Sequence, residues 1–593
     1  MGTIIEELIT DFTNGVTDNV RSKVAGIAQM ITNFDAFTHA GRLIPYYDKE
    51  SGDVNASTSK KQAFEIALWT PSTPDTWRLF GLGVVSGTGK ASIHMKLLQT
   101  GTTEDLGDNL WADPANNESS SSTSFNLFKY YKTTGLIYGA QAGTAIWAFS
   151  PSGAAFDDAQ RALAYTNIGQ GLVHSKDDNL YIPYDNKIAR NNAGSWTDAA
   201  LTIPSSHYIT SIAEFGNYLQ VASAPLSGVG KSRVYLWDRD SSLATISESI
   251  DFGQGNLMWT EELEGYIIGA SISHTARNKT RITFRYSSGG NTSKAFKEFI
   301  VPTAGGSSGV GLLSIKQKVD NRIYFSMHLT IDGVMRRGVW SVGISSSGGF
   351  TISNDSTPFN DVVPNDLDAL QGFFIVGDYF FTSYLSAPST YALGKTNNTE
   401  SYTGTAILET TIKNAGDSEK KKKLIGFTAL FEPLPAAGVV KGYYKKDAET
   451  GWTRAFVFGT DNAISKAALN LESDTTAVTV TIASPGVFSQ TAHGLIAGQV
   501  IKLRTTGALP TGLTAGVEYY VIATGLTADA FQLSATSGGS AINTTGTQNG
   551  THTIDRTVNL TEGKEFKFRI ESTGGAVITG LRYKMDVTDK APY

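Results

Sequence analysis

The chain has 593 residues, of which 61 are glycine, 18% are charged and none is cysteine. The missing cysteine excludes disulfides, thiolate metal sites and a cysteine nucleophile. A net charge of only −6 argues against a general nucleic-acid binder, and no apolar run approaches the about 18 residues of a membrane-spanning helix.

Residues 1–60 read as an N-terminal arm outside any repeat. Thr3 and Glu6 have capping-box spacing, which predicts one short helix over Ile4–Leu8. The stretch VAGIAQMITNFDAF (24–37) fits strand or helix, and the punctuation by Thr32, Asn33 and Asp35 favours strand. The start, MGTIIEELITDF, is too acidic for a secretory signal. Release by lysis is the expected exit from a cell. The arm is expected to contact something other than the repeats.

Residues 61–400 carry a repeat. Tyr138, Tyr181, Tyr218, Tyr266, Tyr324 and Tyr379 each follow a turn and open a second strand-like run, at intervals of 37 to 58 residues. That period suits one four-stranded sheet, and several in series mean a β-propeller. A small sheet cannot cover both of its faces, whereas a ring of sheets gives every face a partner. The six tyrosines are expected to fill the space between blades at equivalent, buried positions. A third alternating strand follows in TAIWAFSP (144–151), SRVYLWDRD (232–240), TRITFRYSS (280–288), GVWSVGIS (338–345) and STYALGK (389–395). The segment 63–98 has the same layout with Phe80 in the tyrosine's place. The count is seven blades, or six if that segment only closes the ring. Residues 100–123, with Pro114, Asn116, Asn117 and Ser119–Ser122, read as a mobile loop between units, and SGGNTS (288–293) and AGGSSG (304–309) as shorter ones.

From about 401 the strands lengthen. Residues 401–475 and 556–593 read as an antiparallel β-sandwich-like domain. Residues 476–555 read as a small β-domain inserted in it, with strands at VIKL, EYYVIA and AFQL. The fold class is therefore all-β. Lys420–Lys423 is the one basic cluster and reads as a solvated loop, with contact to an acidic partner or DNA as the other reading.

Little in the chain points to catalysis. The histidines at 39, 94, 174, 207, 274, 328, 493 and 552 have no metal-pair spacing. Gly305–Gly309 fits G-x-S-x-G by letter but lacks the strand-to-helix context of a nucleophile elbow. SGVGKS (227–232) has Pro225 where a phosphate loop needs glycine and reads as a linker. Three acid pairs, Asp177/Asp178, Asp238/Asp240 and Asp366/Asp368, have the residue type of a glycosidase pair. Each lies in a turn, where aspartate is favoured for its own backbone bonds. No catalytic, cofactor or metal residues are expected.

Residues 31–47, with Asn33, Phe34, Asp35, Phe37, Gly41, Leu43 and Pro45, resemble the lead-in of propeller-bearing virion proteins of tailed bacteriophages. FEPLP (431–435), GYYKKD (442–447) and FRIESTGGAVITGL (568–581) are similar to the sheet domain that follows those propellers. AHGLIAGQVIKL, GALPTGL and YYVI in the inserted block resemble a phage-tail β-module akin to the FCCH domain of ubiquitin-activating enzymes. The nucleotide-binding and cysteine parts of those enzymes are absent, so no ubiquitin chemistry follows.

The resemblance implies a non-enzymatic tail subunit, either the nozzle (tail tubular protein B) or a hub component. It is made in the host cytoplasm and located in the virion. It implies a ring of about six copies around the DNA exit channel, contacting adaptor and fibre proteins. DNA would pass during ejection without sequence-specific binding. The lead-in does not match the best-known nozzles closely, which leaves the place in the virion open. The alternatives are a receptor-binding fibre or head decoration protein with the module facing the host surface, and a propeller glycosidase using paired aspartates.

Overall fold

The computed structural model describes residues 3–17, 21–22, 27–37, 41–46, 49–54, 65–69, 78–84, 90–97, 99–100, 103–104, 118–122, 128–141, 143–150, 155–240, 242, 246–275, 279–302, 310–331, 334–345, 348–356, 370–376, 379–387, 390–396, 404–449, 451–459, 477–491, 493, 495, 497, 500–536, 538–555 and 562–587. All long elements among them are β-strands. The chain forms two compact bodies, Tyr47–Ser401 and Met1–Tyr46 with Tyr402–Tyr593.

The first body is a seven-bladed β-propeller. Among the described residues, seven runs of four successively paired antiparallel strands open with Glu65–Trp69, Phe128–Tyr131, Leu172–Val173, His207–Phe215, Asn256–Leu263, Val310–Val319 and Leu370–Val376. The opening strands of blades 4, 5, 6, 7, 1 and 2 pack successively on one another, so they surround the axis and the ring closes. Segment 63–98 supplies three strands of a full blade, and the fourth, outer strand is Glu118–Ser122, within the stretch expected to be a loop.

The seventh blade takes its outer strand from the other end of the body: Lys49–Val54 pairs antiparallel with Thr390–Thr396. Ladder hydrogen bonds thus join the first and last segments of the ring, a contact with no local sequence signal. The propeller body accordingly begins at Tyr47 rather than near residue 61.

Its core lies between blades. Tyr131, Tyr138 and Ile146 of blade 2 pack with Leu180, Ile182 and Tyr184 of blade 3. Tyr181 and Ile188 of blade 3 pack with Leu219, Val221, Tyr235 and Trp237 of blade 4. Gly139 illustrates the tightness. A Cβ there would lie 1.9 Å from the Trp147 ring, and the Trp147 indole donates to the Ala140 carbonyl at 2.8 Å.

All six repeat tyrosines lie in the second strand of their blades, but their burial is unequal, contrary to expectation. Tyr138, Tyr181 and Tyr324 are buried, Tyr266 is half-buried and Tyr218 is 37% exposed; the side chain of Tyr379 lies outside the described residues. The difference follows from register. Tyr218 and Tyr266 are the first residues after their turns, opposite Phe215 and Leu263, so their rings sit at the rim. The next residues, Leu219 and Ile267, are buried in their place.

The second body contains a β-sandwich. One sheet runs Thr3–Ile9, Ile578–Val587, Lys422–Phe431, Glu562–Gly563; the other includes Ala28–Thr32, Ala406–Thr410, Phe566–Thr573, Val439–Lys446 and Thr453–Gly459. Their inner faces meet through aromatic rings, Phe427 on Phe568 at 4.7 Å and Phe568 on Tyr583 at 4.9 Å. Strand alternation places each of these rings inward.

The expected helix over Ile4–Leu8 is instead strand Thr3–Ile9, paired residue for residue with Ile578–Val587. Two isoleucines and a long-range ladder outweigh a local cap. The lead-in also belongs to this body. Leu43 exchanges backbone hydrogen bonds with Ile578 at 2.8 and 3.1 Å, and Phe34 and Leu43 are fully buried. The arm is thus part of the sandwich up to Tyr46 and part of the propeller after it.

The inserted block forms a sheet whose strands, from Ala477–Val480 to His552–Asp555, pair only with each other. Val478, Phe488, Ile501, Leu503, Val521, Phe531 and Ile554 fill its own core.

Candidate functional site

The strongest polar constellation is on one rim of the propeller, where the turns after the first and third strands of each blade emerge. In blade 3 that first turn is 174–179. Asp177 accepts the Asn179 backbone N–H at 3.2 Å and so shapes the turn, which Asp178 completes in a left-handed conformation (φ +50°). The two acids then diverge. Asp178 reaches back to blade 2, accepting the Thr133 hydroxyl, while its carbonyl accepts the Tyr131 hydroxyl at 2.6 Å. Asp177 reaches forward to blade 4, accepting Arg239 at 2.6 Å, and also takes the Tyr181 hydroxyl at 2.8 Å.

Arg239 is held hard. Its backbone is left-handed (φ +71°), uncommon for a residue with a Cβ, and its guanidinium also donates to the Asn217 carbonyl at 3.1 Å. The same guanidinium lies 3.2 Å from His174 Nδ1, which the Lys176 backbone N–H approaches at 3.2 Å. Two donors on Nδ1 require a neutral ring with its proton on Nε2. His174 is fully buried. Burial lowers its pKa, against the pull of Glu214 and with the push of Arg239.

Burial pushes Asp177 up, but the Tyr181 hydroxyl, the Asn179 N–H and Arg239 outweigh it and hold its carboxyl below the usual range. Burial and the adjacent Asp177 push Tyr181 up to about 12. Glu214, at the end of blade 4's first strand, takes the Ser175 N–H and hydroxyl, both at 2.6 Å.

A second constellation faces the axis. The Lys316 side chain on blade 6 is buried and pairs with Glu261 of blade 5 at 3.1 Å. It also donates to the Ile212 carbonyl of blade 4 at 3.2 Å and to the Thr260 carbonyl of blade 5. Burial lowers its pKa, partly countered by Glu261. Two residues on, Lys318 pairs with Glu262. Between them Gln317 bonds both backbone groups of Ile375 on blade 7, at 2.6 and 2.8 Å. One strand thus ties together blades 4, 5, 6 and 7.

These residues were missed from the sequence. Lys316 and Arg239 sit in ordinary alternating strand and turn text, and their side-chain partners Glu261, Asp177 and His174 are 55 to 65 residues away, across a blade boundary.

The other sequence candidates are placed as follows. Asp238 accepts the Asp240 N–H at 3.0 Å, and Asp240 accepts the Ser242 N–H and hydroxyl at 2.8 and 2.6 Å, so both shape the turn beside Arg239. Asp366/Asp368 and Gly305–Gly309 lie outside the described residues. Ser227–Gly230 is a hairpin loop, and Lys231 pairs with Asp251 at 2.5 Å.

Lys422 corrects the solvated-loop reading of its cluster. It is fully buried and donates to the carbonyls of Asp417, Lys420 and Lys564. Alternation turns it inward while the adjacent Lys421 stays exposed. Among the described residues no three metal-binding side chains cluster, and no helix is long and apolar enough to cross a membrane.

No known protein family and no curated protein matches the chain. Among solved structures, the chain is similar to the WD40 domain of Toxoplasma gondii coronin, at 10% identity over 62% of this chain and 87% of that one, TM-score 0.35. It is also similar to the WD40 β-propeller domain of Doa1, at 9% identity over 59% and 98%, TM-score 0.34. With scores this low, the propeller rests on its strand pairing and blade packing: among the described residues, seven blades of four strands packed one on the next.

Proposed function

We propose that the chain is a non-enzymatic structural subunit of a tailed-phage virion, a nozzle or tail-hub component assembling as a ring of about six copies around the DNA exit channel. One observation supports a scaffolding role above others. Three acids of the described rim and axis are paired with cations across blade boundaries: Asp177 with Arg239, Glu261 with Lys316 and Glu262 with Lys318. Carboxylates neutralised in this way serve rigidity, whereas a glycosidase pair needs one acid protonated and one free to act on substrate. The lead-in and sandwich residues that resemble virion proteins, Phe34, Leu43 and Phe568, are core residues here, so that resemblance is one of build.

Electron microscopy of particles carrying a labelled copy tests the reading. Rings of about six copies at the tail are expected, and one isolated copy per particle would sink it. Purified protein should release no reducing sugar from host-surface glycan; release that disappears in Asp238→Asn/Asp240→Asn would replace the scaffold with an enzyme. A second reading, a receptor-binding or decoration protein, draws on the module at 477–555, whose strands pair only with one another. Label at the particle periphery rather than around the channel would favour it.

A further inference from the structure

Among the described residues, strand Thr3–Ile9 ends its sheet: it pairs with Ile578–Val587 on one side and stands last in the strand order. Alternation puts Ile4, Glu6 and Leu8 on one face. Ile4 is 63% and Leu8 53% exposed, among the most exposed large apolar side chains described.

A free strand edge is a template for another strand, and proteins usually block it with charge. The two glutamates here are poor blocks, because each is already neutralised within its own body. Glu6 lies 3.4 Å from Arg582 and 3.3 Å from Lys584. Glu7 lies 3.0 Å from Lys413 and accepts the Tyr583 hydroxyl.

We propose that this edge pairs with the same edge of a second copy, antiparallel and centred on Glu6. The strand is self-complementary in that register. Ile4 falls opposite Leu8 of the second copy, and Leu8 opposite Ile4, so both exposed apolar residues gain an apolar cross-strand partner. Ile5 falls opposite Glu7. The two Glu6 carboxylates meet at the two-fold axis, each already shared by two cations of its own sheet. A shift by two residues in either direction leaves both Ile4 and Leu8 without an apolar partner, and a foreign strand has no reason to match this spacing. The contact goes beyond the ring proposed above: it is isologous and joins copies in pairs, whereas a ring needs a separate head-to-tail contact.

The absence of cysteine makes the register directly testable in the full chain. Residues facing each other across an antiparallel pair have Cα atoms about 4.5–5.5 Å apart, inside the disulfide window of about 4.4–6.8 Å. Under mild oxidation Glu6→Cys should form a covalent dimer at least tenfold faster than Ile4→Cys or Leu8→Cys alone. Mixed Ile4→Cys and Leu8→Cys should cross-link to each other. Ile4→Lys/Leu8→Lys, added to Glu6→Cys, should abolish the cross-link without changing the melting temperature of the reduced protein. Without any introduced cysteine, the same lysine pair should convert a dimer to a monomer by light scattering.

Equal cross-linking of the three single variants would overturn the proposal, as would a wild-type mass of one chain at about 100 μM. Dimers that never form rings support the strand pair and count against the ring alone. Rings in which Glu6→Cys stays reduced do the reverse.

Discussion

Between blades 3 and 4 the core passes from Tyr181 directly onto Trp237, ring to ring at 5.8 Å, and Arg239 and Asp177 close the rim above it. The inserted module instead stacks Phe488 on Phe531 at 5.0 Å inside one unit and finds all its strand partners within 477–555. A blade is stable only because its neighbour covers it, so damage at a blade boundary is shared by two blades. The module has no such dependence. A repeat needs inter-unit staples, polar as well as apolar, and an insertion needs a complete core of its own.

The contrast is broken most severely at Trp237. Trp237→Ala removes a fully buried ring from the blade 3–4 core and should cost about 3–5 kcal/mol, read from denaturant unfolding. A loss below about 1 kcal/mol would mean that the blades do not depend on that boundary.

Next comes the axis. Lys316→Met leaves Glu261 without its cation and two carbonyls without a donor. It should destabilise by about 2–4 kcal/mol, reduced by the solvent that Glu261 still sees. In a double-mutant cycle with Glu261→Gln the two losses should not add; additive losses would show that the pair is not coupled.

Smaller still is the effect of acid at His174. Its folded pKa is lowered by burial, so the unfolded chain takes up the proton first. The stability is fully present above the ordinary histidine pKa of about 6.5 and is lost as pH falls below it towards the folded value. The wild type should therefore melt lower at pH 5 than at pH 7.5, and His174→Gln should narrow that gap. An unchanged gap in the variant would assign the acid sensitivity to other groups.

The module sharpens the comparison from the other side. Excising 476–555 with a short Gly/Ser join should leave the remaining melting transition in place, because no strand outside the block loses a partner. Aggregated product would show that the block completes the sandwich core.

The repeat period of residues 61–400 was legible because each second strand carries an aromatic residue among its first three positions after a turn, a pattern that recurs without knowledge of any partner. The third strands and the module's Val500–Thr505 and Glu518–Val521 were legible for the same reason: alternation is local. The polar staples were not. Asp177 and Asp178 read as turn residues, and they are, but nothing near them announces that each serves a different neighbouring blade.

What the sequence alone determined was therefore the all-β class and the propeller, both carried by periodicity and turn chemistry. What only the tertiary structure decided depends on residues far apart in the chain. Thr3–Ile9 is a strand because Ile578–Val587 lies beside it. Blade 7 is complete because Lys49–Val54 returns to it. Lys422 and Lys316 are buried because backbone carbonyls or a glutamate from other segments surround them. A residue's burial and charge state are set by the partners that folding brings to it, and those partners leave no mark within its own few residues of sequence.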